Sequence, residues 1–392
     1  MSSVSPPLEH AGRRARDWHH RLRTRVAPFP LSPGLRWLVR LGFAAPYVVI
    51  ALLAARGHAG PPSDNDLVYQ HVLGIDWSRA DVEWVRDLYP PLGMIFATGV
   101  MRLIPLGDFG LALLGAAVAG HLGQKTLESM RQRVFPPTAI ALFCIALFVN
   151  PFTVYLVERS TLLFICIALF ALGTDNMTRF IAFRSTRDGF RAGLFFMLAA
   201  LTDSVGIILV ATAAVSSLFL RPGERQERGR RRADLLVIAF PTIGTLALWY
   251  FLQWAFGAVP YRLFGIGVTP GELADELEYF YRYGWIVLTT VACICVVALL
   301  ARRPSIALMT VALAAVYVLA LFIGLGHDPS AAGFAVLVLL LLIFYTPEIR
   351  PRAVDLALPS VAGLQVAIMW IAGIDDYYLV AWFNAVRDAL GG

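Results

Sequence analysis

The sequence predicts an all-α fold, a polytopic bundle of about ten or eleven membrane-crossing helices, on three observations. Of the 392 residues, 58% are apolar and 15% charged, with a mean hydropathy of +0.67; a soluble domain of this size carries about 25% charged residues. Apolar stretches recur from end to end, many of them about long enough to cross a hydrocarbon core roughly 30 Å thick. Backbone groups in lipid must satisfy one another, so such stretches are helices, and the alternating period of an outer-membrane barrel is absent.

The chain opens on a basic arm, residues 1–35, in which Arg13, Arg14, Arg16, Arg21, Arg23 and Arg25 precede Pro28, Pro30 and Pro33. A full-length apolar stretch comes next and no small-residue cleavage site follows it, so the arm reads as cytoplasmic and the first helix as retained. Spans are expected near 36–56, 108–123, 136–157, 160–174, 192–220, 235–256, 284–301, 305–325, 331–346 and 356–374, a transmembrane unit over 36–374. The stretch 192–220 is long for one crossing and short for two. Its Leu201-Thr202-Asp203-Ser204 break suggests two short helices meeting at a polar point; one long tilted helix is the alternative. Broken helices survive at membrane depth where they line protein or a wet cavity.

Charge gives the orientation. With the N-terminus inside, the inner segments hold 25 of the 33 Lys and Arg, while acids lean outward, 16 against 10. The basic excess sets topology. Two outer segments exceed simple connectors. Residues 57–107 carry Asp64, Asp66, Asp76, Asp81, Glu83 and Asp87 with Trp77, Trp84 and Tyr89; residues 257–283 carry Tyr261, Arg262, Glu272, Tyr281 and Arg282 among other acids and tyrosines. Acids mixed with aromatics suit interfacial helices. The tail 375–392 reads as an amphipathic helix on the outer face.

The net charge of +6 does not point to nucleic acid, because the basic residues lie in short loops between apolar segments. His19-His20 and the six-arginine loop 221–232 read as inner-face charge near anionic lipid. Cys144, Cys166, Cys293 and Cys295 lie in apolar segments without metal-ligand spacing and read as small core residues. Heavy use of Ala, Arg and Gly suggests a GC-rich bacterial genome, hence a bacterial inner membrane.

Chemistry is most legible in Pro62-Ser63-Asp64-Asn65-Asp66-Leu67-Val68-Tyr69, followed by Leu88-Tyr89-Pro90-Pro91-Leu92-Gly93. Acids just after a first span lie at the outer interface, where they accept a proton from a hydroxyl or help hold a divalent cation. Pro90-Pro91 stops one helix and starts another.

This arrangement resembles the polytopic glycosyltransferases of the GT-C fold, which take sugars from polyprenyl-phosphate donors. In them an essential acid in a first outer loop precedes a Tyr/His-Pro-Pro turn. The pairing of Asp66-Leu-Val-Tyr69 with Tyr89-Pro-Pro91 most resembles the bacterial polyprenyl-phosphate-mannose α-mannosyltransferases. Arg191-Ala-Gly193 through Thr202 is similar to a Gly/Leu-rich stretch of that superfamily ending in Leu-Thr. Asn150-Pro151, ending a span before Glu158-Arg159, resembles its short second outer loop. The chain departs from the pattern at Asp203-Ser204, where members often carry Lys/Arg-Pro.

The resemblance implies an inverting transfer of mannose or another hexose or pentose to a lipid or cell-envelope glycan acceptor at the outer face. Asp66 is then the base, with Asp64 second. Arg86, Tyr89, Arg159, Arg262, Arg282 and His327 are candidates for the donor phosphate, arginine gripping phosphate bidentately. Glu158 and Asp203 are further candidates, the latter because intramembrane ionisable groups tend to be functional. No cofactor is fixed by these motifs, and a divalent cation is left open.

Plainer readings stand beside these. Asp64 and Asp66 serve equally as solvated loop acids, or Asp64 as a helix N-cap. Glu83, Arg86 and Asp87 make a surface ion-pair face. Arg159 caps a span end, Arg262 and Arg282 anchor at the interface, His327 sits in a tight turn, and Asp203 is a structural acid at a helix break. Two other functions fit the same features: a flippase of lipid-linked glycan, and a non-catalytic lipid-binding scaffold.

Overall fold

The computed structural model describes residues 29–56, 62–78, 88, 90–104, 107–183, 185–218, 228–256, 270–301, 304–322, 333–334, 336–338, 340–341, 352–374 and 377–391. Among them there is no strand, and the helices are α1 (Pro33–Ala54), α2 (Asp64–Gly74), α3 (Pro91–Leu103), α4 (Phe109–Gln132), α5 (Pro137–Phe148), α6 (Pro151–Arg159), α7 (Thr161–Phe183), α8 (Thr186–Thr202), α9 (Val205–Ser217), α10 (Arg228–Ala255), α11 (Pro270–Leu300), α12 (Pro304–Phe322), α13 (Arg352–Ile374) and α14 (Tyr377–Ala389). Helical residues also occur within the span expected at 331–346.

The protein is a helical membrane protein by the length and apolarity of its helices. Pro33–Ala54, Thr161–Ile181, Ala233–Ala255 and Arg352–Ile374 are each long and apolar enough to cross, and the bent pair α5–α6 makes a fifth if it counts as one span. Several other expected spans are shorter apolar helices, as in α9, α12 and the Gly284–Leu300 part of α11. Burial separates a core from a shell. The apolar window of α7 is 72% buried, against 11% in α1 and α10. The shell helices turn Trp37, Leu38 and Leu41, and Phe240, Ile243 and Trp254, outward. Large apolar side chains facing outward over whole helices are what a lipid surface demands.

Three elements differ from the sequence expectation. The span expected at 136–157 breaks at Val149–Asn150 with a bend of 51°. Pro151 takes the first position of α6, and the Asn150 side chain accepts from Phe152 N at 2.9 Å. Proline at that position with asparagine at the cap starts a helix, so Glu158 and Arg159 close a helix instead of lying in a loop. In the outer segment expected at 257–283, the residues from Pro270 on are continuous with the span expected at 284–301, because α11 runs Pro270–Leu300. The span expected at 160–174 runs on to Phe183, its end held by polar contacts. The 192–220 segment does divide at Asp203–Ser204, into α8 and α9. Gly206 lets the start of α9 lie close against α8, since a Cβ there would run into the Ala199 backbone.

The bundle has a polar knot at each end. At the end carrying the last turn of α4, Arg133 and Arg179 each reach Asp175 of α7 at 2.9 Å. Arg179 also donates to Gln132 at 3.0 Å. Buried Gln124 accepts from Arg40 of α1 at 3.2 Å and donates to Glu128 at 2.8 Å. The opposite end carries the candidate site.

Candidate functional site

The site is built on α2. Ser63 and Asp66 form a reciprocal capping box: Asp66 N donates to Ser63 Oγ at 3.2 Å, and Ser63 N donates to Asp66 Oδ2 at 2.8 Å. The Ser63 hydroxyl donates to the same oxygen at 2.8 Å. This satisfies amide donors that a helix start leaves open. The cap is therefore Ser63, and Asp64 stands in the first turn.

Asn65, only 1% exposed, fastens α2 to the α6–α7 junction. Its Nδ2 donates to Glu158 O at 2.9 Å and Thr161 Oγ1 at 3.0 Å, and its Oδ1 accepts from Thr161 N at 3.0 Å. Asp64 Oδ2 accepts from Ser160 Oγ alongside. Replacing Asn65 with alanine would strand the Thr161 amide and the Glu158 carbonyl. An unmet buried group costs about 1–3 kcal/mol, so Asn65→Ala is expected to lower the thermal unfolding midpoint in detergent. An unchanged midpoint would refute this role.

Arg159, the last residue of α6, lies between two carboxylates. It contacts Asp66 Oδ2 and Asp108 Oδ2, each at 3.4 Å. Asp108 precedes the first turn of α4, outside the helix. Burial, then the neighbouring Asp66 carboxylate, push the Asp108 carboxyl above the ordinary aspartate range, against the pull of Arg159. An acid whose folded pKa is raised binds its proton more tightly folded than unfolded. Stability then falls as pH rises from the ordinary aspartate value through the folded value. Asp108→Asn is expected to flatten that part of the stability-versus-pH curve, read by thermal unfolding across the acid range.

Glu158 is 3% exposed, and its Oε1 has no hydrogen-bond partner among the described residues. Close by, the Pro90-Pro91 turn starts α3 and brings Gly93 against the α8–α9 break. A Cβ on Gly93 would lie 2.6 Å from Thr202 O, so only glycine allows this approach. Asp203 follows the last residue of α8, is 6% exposed, and accepts from the amide of Val205, the first residue of α9, at 2.9 Å. Val72, Ile75, Leu88, Met94 and Ala97 form a small apolar cluster with Leu111, Leu162 and Ile165, seating α2 and α3 on α4 and α7.

The structure thus gathers Asp64, Asp66, Glu158 and Arg159, while Asp203 stands at the α8–α9 break, where Gly93 touches Thr202. Arg282 lies exposed on α11, which packs on α12 and α13. Arg86, Tyr89, Arg262 and His327 lie outside the described residues. Sequence reasoning missed Asn65, Asp108, Ser160 and Thr161. Ser63-x-x-Asp66 is a readable capping signal, and Asp108 announces itself as an acid directly before an apolar run. Among the described residues no group of three or more His, Cys, Asp or Glu is arranged to hold a metal, and Arg159 supplies the positive charge between the two aspartates.

No protein-family model, curated protein or solved structure matches the chain.

Proposed function

We propose that this chain is a membrane glycosyltransferase of GT-C-like architecture. It moves a sugar, mannose or another hexose or pentose, from a polyprenyl-phosphate donor to a lipid or cell-envelope glycan acceptor. The reaction takes place at the outer face of a bacterial inner membrane, the N-terminus being cytoplasmic and the remaining apolar helices completing ten or eleven crossings.

One observation carries this reading. Asp66 is a half-buried carboxylate held rigid by a capping box and by Arg159, on a short helix clamped over the bundle end. A base that takes a proton in the transition state must be fixed, within hydrogen-bond reach of the hydroxyl, and shielded from bulk water. In the reaction Asp66 takes the proton of the acceptor hydroxyl as its oxygen bonds to the anomeric carbon. The bond from that carbon to phosphate oxygen breaks on the opposite face, and polyprenyl phosphate leaves. Arg159 holds Asp66 and Asp108 and lends positive charge near the departing phosphate. The Asp203 carboxylate accepts from Val205 N at the helix break, which gives this intramembrane acid a structural use apart from transport.

The test uses the full chain in lipid nanodiscs with polyprenyl-phosphate donors carrying labelled mannose, glucose or arabinose. Label is expected to pass to an acceptor with release of one polyprenyl phosphate per sugar and inversion at the anomeric carbon. Proteoliposomes that move intact donor across the bilayer without releasing polyprenyl phosphate would sink the proposal.

A further inference from the structure

Away from the acidic end, α1 and α5 both pack on α4 and splay from each other. They meet where the Phe43 and Phe148 rings stand 4.8 Å apart and the Tyr47 hydroxyl donates to Phe148 O at 2.9 Å. Toward the other end they enclose a groove of about 510 Å³. Gly42 and Pro46 on one wall and Ala141 and Cys144 on the other leave it room. Its lining is apolar apart from the Tyr47 hydroxyl, taken by Phe148 O, and Arg131, in the last turn of α4. Arg131 is exposed, its guanidinium 4.2 Å above the Phe29 ring.

The volume lies within the range of small-molecule sites, about 300–1,000 Å³. At about the volume of one water, ~30 Å³, per methylene, it accommodates a chain of about seventeen carbons. Arg131 belongs to the basic end, so the mouth opens on the leaflet that carries anionic lipids at a cytoplasmic surface. A neutral lipid has no use for that charge, and a soluble anion has none for the apolar groove. We propose that the groove binds an anionic diacyl phospholipid of the inner leaflet, its phosphate at Arg131 and one acyl chain between α1 and α5. This rests on membrane residence and the basic-inside orientation, and not on sugar transfer.

The full-length protein in detergent would be titrated with phosphatidylglycerol and phosphatidylcholine of matched chains, and bound lipid counted by native mass spectrometry. Wild type is expected to retain phosphatidylglycerol about fivefold better, roughly what one arginine supplies near a charged lipid. Arg131→Gln is expected to bring the two lipids to parity, and Arg131→Lys to keep the preference. Ala141→Trp, and Ile145→Trp at the rim as a second filling variant, are expected to abolish retention of both without lowering the unfolding midpoint. Parity in wild type, a preference that survives Arg131→Gln, or retention untouched by either filling variant overturns the proposal. Displacement of phosphatidylglycerol by polyprenyl phosphate at equal concentration overturns it too.

Discussion

Asp66→Asn is expected to lower sugar transfer by about 10²–10⁴-fold, the contribution of a positioned general base, while the protein still folds. Asparagine keeps an oxygen that can accept from Ser63 N and Oγ, so the capping box and the seat of α2 survive. What it loses is the ability to take a proton. Asp66→Glu places a carboxylate one methylene further out and is expected to recover part of the rate. Two readouts separate a base from a support. The unfolding midpoint should stay near wild type, and the acid limb of the rate-versus-pH profile should vanish. Transfer near the wild-type rate would remove Asp66 from the mechanism. Loss of rate together with a collapsed midpoint would make it a structural residue.

Asp175→Ala is the second large expectation. The Asp175 carboxylate is 13% exposed and takes 2.9 Å contacts from Arg133 and Arg179, whose side chains are 9% and 32% exposed. Removing it leaves two guanidinium groups facing each other at the end of the core helix. Breaking a buried pair by deleting one partner costs about 3–5 kcal/mol, comparable with stranding the two groups that Asn65 meets. Arg133 keeps its bond to Ser129 O at 3.3 Å, which does not compensate a charge. The thermal midpoint in detergent should fall at least several degrees below wild type. The double variant Asp175→Leu with Arg133→Met should recover much of it, since an apolar pair of similar volume often equals a buried ion pair. A double variant no better than the single one would show that the charges act independently.

Local chemistry was readable in the sequence, and long-range partnership was not. The polar break at Leu201-Thr202-Asp203-Ser204 was legible because an acid inside an apolar run has few outcomes, and it divides α8 from α9 as expected. The Pro90-Pro91 start of α3 follows from proline's fixed φ and missing amide. Asn150-Pro151 carried the same signal, yet its neighbours are so apolar that hydropathy alone merged α5 with α6. The acids at 64 and 66 were singled out by residue type and order. Their setting depends on Asn65 meeting Thr161, 96 positions away, and no local rule reaches that far. Asp108 was passed over because its worth lies in Arg159, which α6 delivers only after the 51° bend. At the basic end, Asp175 and Arg179 look like a hydrophilic loop until α7 is seen to continue through them.

The polar knots at the two ends of α7 have a consequence for bilayer thickness. Thr161 is fastened to Asn65 at one end, and Asp175 to two arginines at the other. Fourteen residues at about 1.5 Å each put these anchors about 21 Å apart. The outward-facing α1, with 22 residues, is about 33 Å long. The two polar anchors thus lie closer together than the hydrocarbon slab is thick, by several ångströms at each end, while α7 itself and the shell helix α1 are long enough to cross it. Lipid touches the shell, so the mismatch is not spent on thinning the bilayer. It sets the polar groups at either end of the core below the level of the headgroups instead. On the proposed function, a sugar on the lipid donor would then reach Asp66 without its chain being drawn out of the membrane.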